Sequence, residues 1–484
     1  MYKTMNKIPA FLIVCYLFVG CSKSGSGSGN NPVPPVPPPT PTVPGISYWS
    51  TTPDRTVLLS KLTTSAGFST TASTLPMINV DSAQLYQTID GFGYTLTQGS
   101  AELINLMPAT QRMALLTELF GSGENDISVN YLRVGIGATD LSSTVYTYDD
   151  MPVGQTDPTL ANFSIASDQA YMIPVLKQIL LINPAIKIIG APWTAPSWMK
   201  DNGLSVGGSL LPAYYQAYAN YFVKYIQAMQ AEGISITAIT PQNEPLNPNN
   251  NPSLVMTAAQ QAAFIKNNLG PAFAAASITT KIIVYDHNCD VPAYPLEILN
   301  DAAARAYVDG SAFHLYAGDI TALTQVHNAY PDKNIYFTEQ YTASSGNFGG
   351  DLQWHMKNVI VGSMRNYSKI ALEWNLANDA NYAPHTPGGC TTCLGAITIS
   401  SGGYSRNVAY YIIAHISKFV PAGSKRIFSD NYGSINTAAF LRPDGKKVLV
   451  AMNDSNTDQS FNIKFKGKWL TTFLKAGATS TYVW

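Results

Sequence analysis

Two glutamates stand where short apolar segments end, and their carboxyl groups are well suited to acid–base and nucleophilic chemistry. Glu244 follows the apolar segment "ISITAI" in the stretch "ITPQNEPL", and Glu339 lies near the end of "KNIYFTEQ". Two carboxyl groups on either side of a glycosidic bond are sufficient to hydrolyse it. Glu373, in "KIALEWN", is a third carboxylate in such a position and the alternative nucleophile.

The two carboxyl groups must differ in protonation to divide the work of such a reaction. If Glu339 is ionised, its charge raises the pKa of Glu244 and keeps a proton available for the leaving oxygen. We therefore predict that Glu244 is the general acid/base and Glu339 the nucleophile of a double displacement, with carboxyl groups about 5–5.5 Å apart. Asn243 is placed to bond the sugar 2-hydroxyl. The structural alternative is that a glutamate pairs with an arginine such as Arg133.

A carboxylate, an amide, imidazoles and aromatic rings stand at the ends of apolar segments. They are Trp193, Asp286, His287, His314, Tyr316, Trp374 and Asn375. A sugar site needs planar hydrogen-bonding partners for hydroxyl groups and flat rings for the C–H faces of the sugar. The combination therefore predicts a carbohydrate site, although any one of these side chains could belong to the core instead.

Eight apolar, β-branched segments alternate with stretches of helical periodicity from about residue 88 onwards. The segments are residues 87–93, 129–137, 186–193, 236–244, 281–288, 310–316, 333–340 and 369–375. This alternation predicts an α/β fold, and eight strands predict a closed (β/α)8 TIM barrel with its site at the C-terminal strand ends. An open doubly wound sheet is the alternative, but "DGFGYTLT" lacks the glycine spacing of its phosphate loop.

Two prolines predict the backbone around Glu244. Pro241 has no N–H group to donate to a sheet, so the strand before it should end early or distort. Pro245 disfavours the helical conformation in the residue that precedes it, so Glu244 should be extended.

The chain carries few charges for its length. Charged residues make up 12% of its 484 residues and the net charge is −1, whereas roughly 25% charged is usual. Nucleic-acid binding depends on clustered lysine and arginine, so the composition argues against that class of function. A surface rich in neutral polar residues is typical of an extracellular protein that binds neutral ligands.

The N-terminal residues predict export and a lipid anchor. Lys3 and Lys7 precede a short apolar segment, and "LFVGC" places Cys21 where a bacterial lipoprotein is lipidated, with Phe18 in place of the usual leucine. An ordinary secretory signal is the alternative. Residues 22–45 are rich in glycine and serine, then in proline, which is typical of a spacer. We therefore expect an exported, membrane-anchored bacterial protein, periplasmic or on the cell surface, held to the outer membrane.

Three cysteines remain beyond the signal. Cys390 and Cys393 form a single "CTTC" motif, and Cys289 stands apart. One CxxC pair is weak evidence for zinc, so we assign neither a metal nor a cofactor. A local disulfide is the favoured interpretation and a pair of unlinked thiols is the alternative.

Motifs along nearly the whole chain after the spacer resemble glycoside hydrolase family 30, the glucosylceramidase-like family. They are "DGFGYTLTQGSA", "YLRVGIGATDLS", "YTYDD", "APWTAPSWMKDNG", "ANYFVKYIQAM", "TPQNEP", "FTEQ" and "AHISKFVPAGS". The resemblance implies a retaining mechanism and a barrel at residues 88–417. It also implies a discontinuous β-sandwich built from residues 46–87 and 418–484. By resemblance, Glu244 matches the acid/base and Glu339 the nucleophile.

The resemblance also implies sugar-contacting residues and a substrate class. The matching positions are Trp193, Asn243, His314, Tyr316 and Trp374. Gln98 replaces an acidic residue of glucosylceramidases and Leu315 replaces a tryptophan, which weakens the case for a lipid-linked substrate. We expect Gln98 to bind substrate still, and the resemblance to the bacterial exported members of the family implies a preference for β-1,6-glucan. A glucosylceramidase, a β-glucosidase or β-xylosidase, and a non-catalytic glycan-binding lipoprotein are the alternatives. The oligomeric state and endo or exo action stay open, with a monomer as the expectation.

Overall fold

The computed structural model describes residues 44–484, and within that range eight parallel strands close into a barrel. In chain order they are Gly91–Leu96, Tyr131–Gly135, Lys187–Ala191, Ala238–Ile239, Lys281–Cys289, Val308–Gly318, Asn334–Glu339 and Ser368–Asn375. Each strand pairs with the next, and the eighth closes on the first through pairs such as Ile370 with Gly91. The predicted (β/α)8 barrel is confirmed. The predictions for the signal peptide, for Cys21 and for the linker up to residue 43 lie outside the described residues.

Helices follow the strands and cover the outside of the barrel. The α-helices are Gln98–Leu106, Ala109–Phe120, Met172–Ile182, Tyr215–Ala231, Ala258–Phe264, Gly270–Ala275, Ala293–Asn300, Ala302–Arg305, Ala322–Ala329, Phe348–His355, Ser363–Arg365 and Val408–Ser417. Segments Ile265–Leu269 and Met356–Gly362 are π-helical, and Ala166–Asp168, Ser197–Met199 and Pro212–Tyr214 are 3-10 turns. The helix Tyr215–Ala231 shows why these segments fold so, because its aromatic residues recur at three- and four-residue steps and form one buried face.

The inside of the barrel is filled by side chains from strands two to eight. These residues are Tyr131, Ile189, Ala238, Ile283, Ala312, Tyr336, Ile370 and Leu372. Successive side chains of a strand alternate between the two faces. Arg133 therefore points inward two residues after Tyr131, and Trp374 points inward two residues after Leu372. Glu373 points outward for the same reason and binds His355 on the surrounding helix layer.

The fourth strand ends at Ile239, before Pro241, as the proline predicts. The expectation that Glu244 is extended is wrong, because its φ is 44°, in the left-handed region. The Glu244 N–H donates to the Asp286 carbonyl oxygen at 2.9 Å. Asp286 itself has a φ of 60°. The hydrogen bond between two strand ends thus overrides the local preference that a following proline creates.

A second sheet of nine strands is formed within the described residues by both ends of that part of the chain. Its order is Ser60–Thr63, Ser47–Thr51, Thr479–Val483, Lys447–Asn453, Ile435–Leu441, Lys425–Ser429, Met77–Thr88, Gln459–Phe465 and Lys468–Leu474. Phe465 and Trp484, which directly follows Thr479–Val483, belong to distant parts of this order, yet their rings are 5.7 Å apart. The sheet therefore folds over into two layers around an apolar core. This arrangement confirms the predicted discontinuous β-sandwich.

The last barrel helix, Val408–Ser417, joins the barrel to the sandwich. Its His415 is fully buried, with Nδ1 at 3.0 Å from the Thr481 hydroxyl and Nε2 at 2.9 Å from the Thr51 hydroxyl. The two hydroxyls come from neighbouring strands at opposite ends of the chain. Buried polar atoms need such partners, so His415 ties the first and last sandwich strands to the barrel. No helix of residues 44–484 is long and apolar enough to cross a membrane.

Candidate active site

A cavity of about 300 Å³ lies at the C-terminal ends of the barrel strands. Its lining residues are Asp140, Trp193, Glu244, Asn247, Asn250, Asn288, Tyr316, Glu339, Tyr341, Trp374, Cys390 and Cys393. A larger cleft of about 810 Å³ lies against Trp49 of the sandwich. There Arg406 binds both carboxylate oxygens of Glu118. The smaller cavity is the candidate site because it holds the two glutamates that the sequence singles out.

The barrel brings the carboxylates of Glu244 and Glu339 close together, and both lie next to the His314 imidazole. One oxygen of each carboxylate and one nitrogen of His314 all lie within 4.8 Å of one another. A register shift at the end of the seventh strand pairs Glu339 with His314 of the sixth. This proximity fits the short separation of retaining glycosidases, since inverting enzymes hold their carboxyl groups roughly 6.5–9.5 Å apart.

Arg133 is the fully buried positive charge beneath this pair. Its Nη1 donates to Glu339 Oε2 at 2.5 Å, and its Nη2 donates to Asn243 Oδ1 at 2.5 Å and to Asp286 Oδ2 at 3.0 Å. A guanidinium can orient several planar acceptors at once because its donors have a fixed geometry. Arg133 therefore fixes the nucleophile candidate and the neighbouring amide relative to each other.

His314 connects both glutamates to a further buried carboxylate. Its Nδ1 lies 3.1 Å from Glu244 Oε1 and 3.7 Å from Glu339 Oε1, and its Nε2 lies 3.1 Å from Asp286 Oδ1. Asp286 also accepts hydrogen bonds from the hydroxyls of Thr240 and Thr338. Burial lowers the pKa of His314, but the charges and hydrogen bonds of the three carboxylates raise it to about 9. The imidazole is therefore positively charged at neutral pH.

The protonation of the glutamates differs from the expectation. Burial raises the pKa of Glu244, but the hydrogen bond and charge of His314 outweigh burial and lower that pKa to about 2. The pKa of Glu339 is raised, chiefly by burial, although His314 and Arg133 act to lower it. The prediction that the charge of Glu339 keeps the Glu244 pKa high is therefore wrong for the free site. The nearby imidazolium has the larger effect on Glu244.

Aromatic rings form the apolar part of the cavity. The rings of Trp193 and Trp374 are 5.3 Å apart, and the Arg133 guanidinium lies 4.8 Å and 5.7 Å from their respective centres. The Tyr316 hydroxyl donates to Glu339 Oε1 at 2.8 Å. These rings offer flat surfaces for the C–H faces of a sugar beside a carboxylate that can attack it.

Other predicted residues lie near the cavity without lining it. The Gln98 amide bonds the Gly137 carbonyl and the Ser142 hydroxyl, so it holds the loop after the second strand. Asn375 Oδ1 accepts a hydrogen bond from Ser100 at 2.9 Å. Asn243 is engaged by Arg133. His314, predicted to contact sugar, is also fully buried outside the lining set, as are Asp286, His287 and Glu373. Leu315, which replaces the tryptophan of glucosylceramidases, is likewise buried outside it.

Sequence reasoning missed several lining residues. They are Asp140, Asn247, Asn250, Asn288 and Tyr341. Asn247 and Asn250 both donate to Glu244 Oε2, at 2.8 and 3.4 Å. Burial and the charges of the two glutamates raise the pKa of Asp140 to about 7. Asp140, Asn288 and Tyr341 lie within five residues of a strand end, and this position is the signal that could have identified them. Asn247 and Asn250 lie farther along the loop after the fourth strand, where the strand pattern gives no signal.

Cys390 and Cys393 form a disulfide on the cavity wall, whereas Cys289 is a buried free thiol at the end of the fifth strand. The disulfide was the favoured interpretation of the motif. Glu244, His314 and Glu339 also offer three atoms that a cation could contact. The Arg133 ion pair and the His314 hydrogen bonds already account for their proximity.

Two family models match this chain in sequence. The model for the glycosyl hydrolase family 30 TIM-barrel domain matches residues 89–420. The model for the glycosyl hydrolase family 30 beta sandwich domain matches residues 423–482. The two matches correspond to the barrel and to the C-terminal strands of the sandwich.

Similar proteins and solved structures support the same family relationship. The endo-1,6-beta-D-glucanase neg1 of Aspergillus fumigatus is 37% identical over 79% of this chain and 82% of its own length. The lysosomal acid glucosylceramidase of Mus musculus is 28% identical over 84% of this chain and 83% of its own length. The solved endo-beta1,6-glucanase BT3312 superposes with a TM-score of 0.84 at 36% identity, over 91% of this chain and 99% of that one.

The buried charges of the site predict a stability effect. We expect Asp286→Asn to lower the free energy of unfolding by about 3–5 kcal/mol, because Arg133 and His314 lose the charge that compensates them. Urea unfolding followed by tryptophan fluorescence measures the change. The control is Glu232→Gln, which removes an exposed pair with Lys177 and should change stability far less. Equal losses in the two variants would contradict this account of the Arg133 network.

Proposed function

Since the chain belongs to glycosyl hydrolase family 30, we propose that it hydrolyses β-1,6-linked glucan with retention of configuration at the anomeric carbon. One observation carries the proposal. The carboxylates of Glu244 and Glu339 face each other within 4.8 Å in a cavity lined by two tryptophans. This is the spacing at which one carboxylate can attack while the other transfers a proton.

The proposed reaction proceeds in two displacements. In the first, Glu339 attacks the anomeric carbon while Glu244 gives its proton to the leaving oxygen, so the glycosidic bond breaks and a glycosyl ester forms. In the second, Glu244 takes a proton from water, whose oxygen attacks the anomeric carbon and releases Glu339. The hydrogen bonds from Arg133 and Tyr316 hold the Glu339 carboxylate in position for attack.

We also propose that His314 holds the catalytic proton before substrate binds. Its Nδ1 lies 3.1 Å from Glu244 Oε1, so the proton can pass directly to that carboxylate. Once the ester forms, Glu339 loses its charge, and Glu244 can accept a proton from water. Asp286 stays ionised throughout, because Arg133 and His314 keep its pKa far below the usual range against the effect of burial.

The substrate proposal rests on the character of the cavity and on the named relatives. Its lining holds three amides and three carboxyl groups but no basic side chain, and its rings are tryptophans and tyrosines, which suits an uncharged sugar. Relatives at 36–37% identity are named endo-1,6-beta-D-glucanases. Gln98 and Leu315 are the positions at which this chain departs from glucosylceramidases. We therefore favour β-1,6-glucan over glucosylceramide, and a catalytic protein over a purely glycan-binding one.

A panel of substrates tests the proposed function. We expect the purified protein to release reducing sugar from β-1,6-glucan faster than from β-1,3-glucan, xylan or glucosylceramide. Glu339→Gln should lower kcat by about 10³-fold or more, because it removes the nucleophile. Turnover of glucosylceramide or xylan with none of β-1,6-glucan would overturn the substrate. Turnover of no member of the panel by the intact protein would favour the glycan-binding alternative.

The shared proton predicts a shift in the pH profile. In the intact protein, the basic limb of kcat/KM should lie near the raised His314 pKa, because above it the proton is lost. In the His314→Gln variant only Glu244 can hold the catalytic proton. The basic limb of kcat/KM should therefore move to lower pH by about 1–2 units. The measurement is the pH–rate profile on a substrate with a poor leaving group.

The control for this profile is His355→Gln, because His355 contacts Glu373 outside the cavity. Its basic limb should match that of the intact protein. A His314→Gln protein that folds but keeps the wild-type limb would show that another group sets it.

We propose, from the sequence pattern, that Cys21 is lipidated and tethers the enzyme outside the cytoplasm to the outer membrane. A large polymer is best met by an enzyme held outside the cell on a spacer, and several acyl chains anchor a protein stably. In cells that make Cys21→Ala, we expect the enzyme to move from the membrane fraction to the soluble fraction. Cell fractionation with immunodetection measures this distribution. Intact protein already found in the soluble fraction would contradict the tether.

A further inference from the structure

The loop of residues 386–394 forms one wall of the cavity and contacts Asp140 at three points. The Thr386 N–H donates to the Asp140 carbonyl oxygen at 2.9 Å. The Cys390 N–H donates to Asp140 Oδ2 at 3.4 Å. Gly389 lies so close that a Cβ there would be 2.3 Å from the Asp140 carbonyl oxygen. Within residues 44–484, the Cys390 N–H is the only hydrogen-bond donor from another residue that reaches the Asp140 carboxylate.

The far end of this loop is held firmly by other elements. Cys393 pairs with Ala343 in a short antiparallel strand pair, and its carbonyl oxygen accepts from Asn378 Nδ2 at 2.7 Å. Its side chain is buried in a cluster with Trp193 and Trp374. Cys393 is thus a fixed point beside the aromatic part of the cavity.

Cys390 lies nearer the surface than Cys393. Its side chain is partly buried against the same cluster and lies 3.8 Å from the Thr392 hydroxyl. The disulfide therefore connects a partly exposed residue of the loop to a fully packed one. Through Cys390, it also holds the carboxylate of Asp140 against the cavity.

We propose that the Cys390–Cys393 disulfide is a positioning device for Asp140 and thereby sets the affinity for the sugar, whereas turnover depends on other groups. The proposal rests on the proposed glycosidase function. A buried carboxyl group on the cavity wall can accept hydrogen bonds from sugar hydroxyls, and these bonds are roughly twice as strong when the carboxyl group is ionised. The disulfide makes no hydrogen bond with Glu244 or Glu339, so its loss should leave the chemical step intact.

The disulfide contributes less to global stability than to local order. It joins residues only three apart in sequence, and the closure entropy that a crosslink removes from the unfolded chain grows with loop length. Opening it should therefore loosen the loop without unfolding the barrel. This separation of effects makes the proposal testable.

The test compares the oxidised protein with two forms that lack the crosslink. One is the double variant Cys390→Ser with Cys393→Ser. The other is the native chain treated with dithiothreitol, which gives two electrons and two protons to form two thiols and becomes its own cyclic disulfide. We expect KM for β-1,6-glucan to rise about five- to tenfold, the loss of about one hydrogen bond, while kcat changes less than twofold. Dithiothreitol should have no effect on the double variant.

Two further variants separate positioning from general damage. Asp140→Asn should raise KM in the crosslinked protein but add little in the double variant, because the crosslink acts through Asp140. Cys289→Ala removes the buried free thiol and should keep the wild-type KM and its response to dithiothreitol.

Three results would decide against the proposal. An unchanged KM in protein shown by thiol labelling to be reduced would overturn it, as would fully additive effects of Asp140→Asn and crosslink removal. A joint fall of kcat and of the unfolding temperature would indicate a role in folding instead. Failure of the proposed function is distinguishable, because the oxidised wild type would then not cleave β-1,6-glucan. The same KM comparison would in that case use the glycan of the panel that is cleaved.

Discussion

The buried guanidinium of Arg133 is the interaction on which the site depends. A positive charge inside a barrel is costly unless acceptors surround it, and here Asp286, Glu339 and Asn243 provide them from three different strand ends. Removing either carboxylate would leave the charge of Arg133 only partly compensated. The network therefore constrains the ends of the fourth, fifth and seventh strands to one geometry. The ion pair that stabilises the buried charge of Arg133 therefore also holds Glu339, the candidate nucleophile, in place.

The backbone at these strand ends is held in conformations that side chains disfavour. Glu244, Tyr285 and Asp286 have φ values of 44°, 77° and 60°. Each such residue costs of order 1–3 kcal/mol, and it persists only where the surrounding structure fixes it. The hydrogen bond from the Glu244 N–H to the Asp286 carbonyl oxygen joins two of them directly. We infer that the strained backbone lowers the stability of the fold but orients the Glu244 carboxylate towards the sugar, as is common at functional sites.

Much of this could be predicted from the sequence, because barrel strands carry a strong local signal. Alternation of apolar segments and helices predicted all eight strands, and position at a strand end predicted Glu244 and Glu339. Side-chain alternation could also have placed Glu373 outside the cavity, since its neighbour Trp374 faces inward. Other features depend on contacts between distant segments. The backbone of Glu244, the placement of the Gln98 amide and the position of Asp140 against the disulfide loop are set by residues far away in the chain.

The pairing of the two chain ends in the sandwich has a consequence for the order of folding. The strand Ser47–Thr51 lies between Ser60–Thr63 and the final strand Thr479–Val483. One of its neighbours is therefore made after all the barrel strands, which lie between residues 91 and 375. Contacts of such large sequence separation form late, because the chain between them must first be ordered. The barrel can thus assemble while the sandwich is incomplete, and the strand Thr479–Val483 later pairs with Ser47–Thr51.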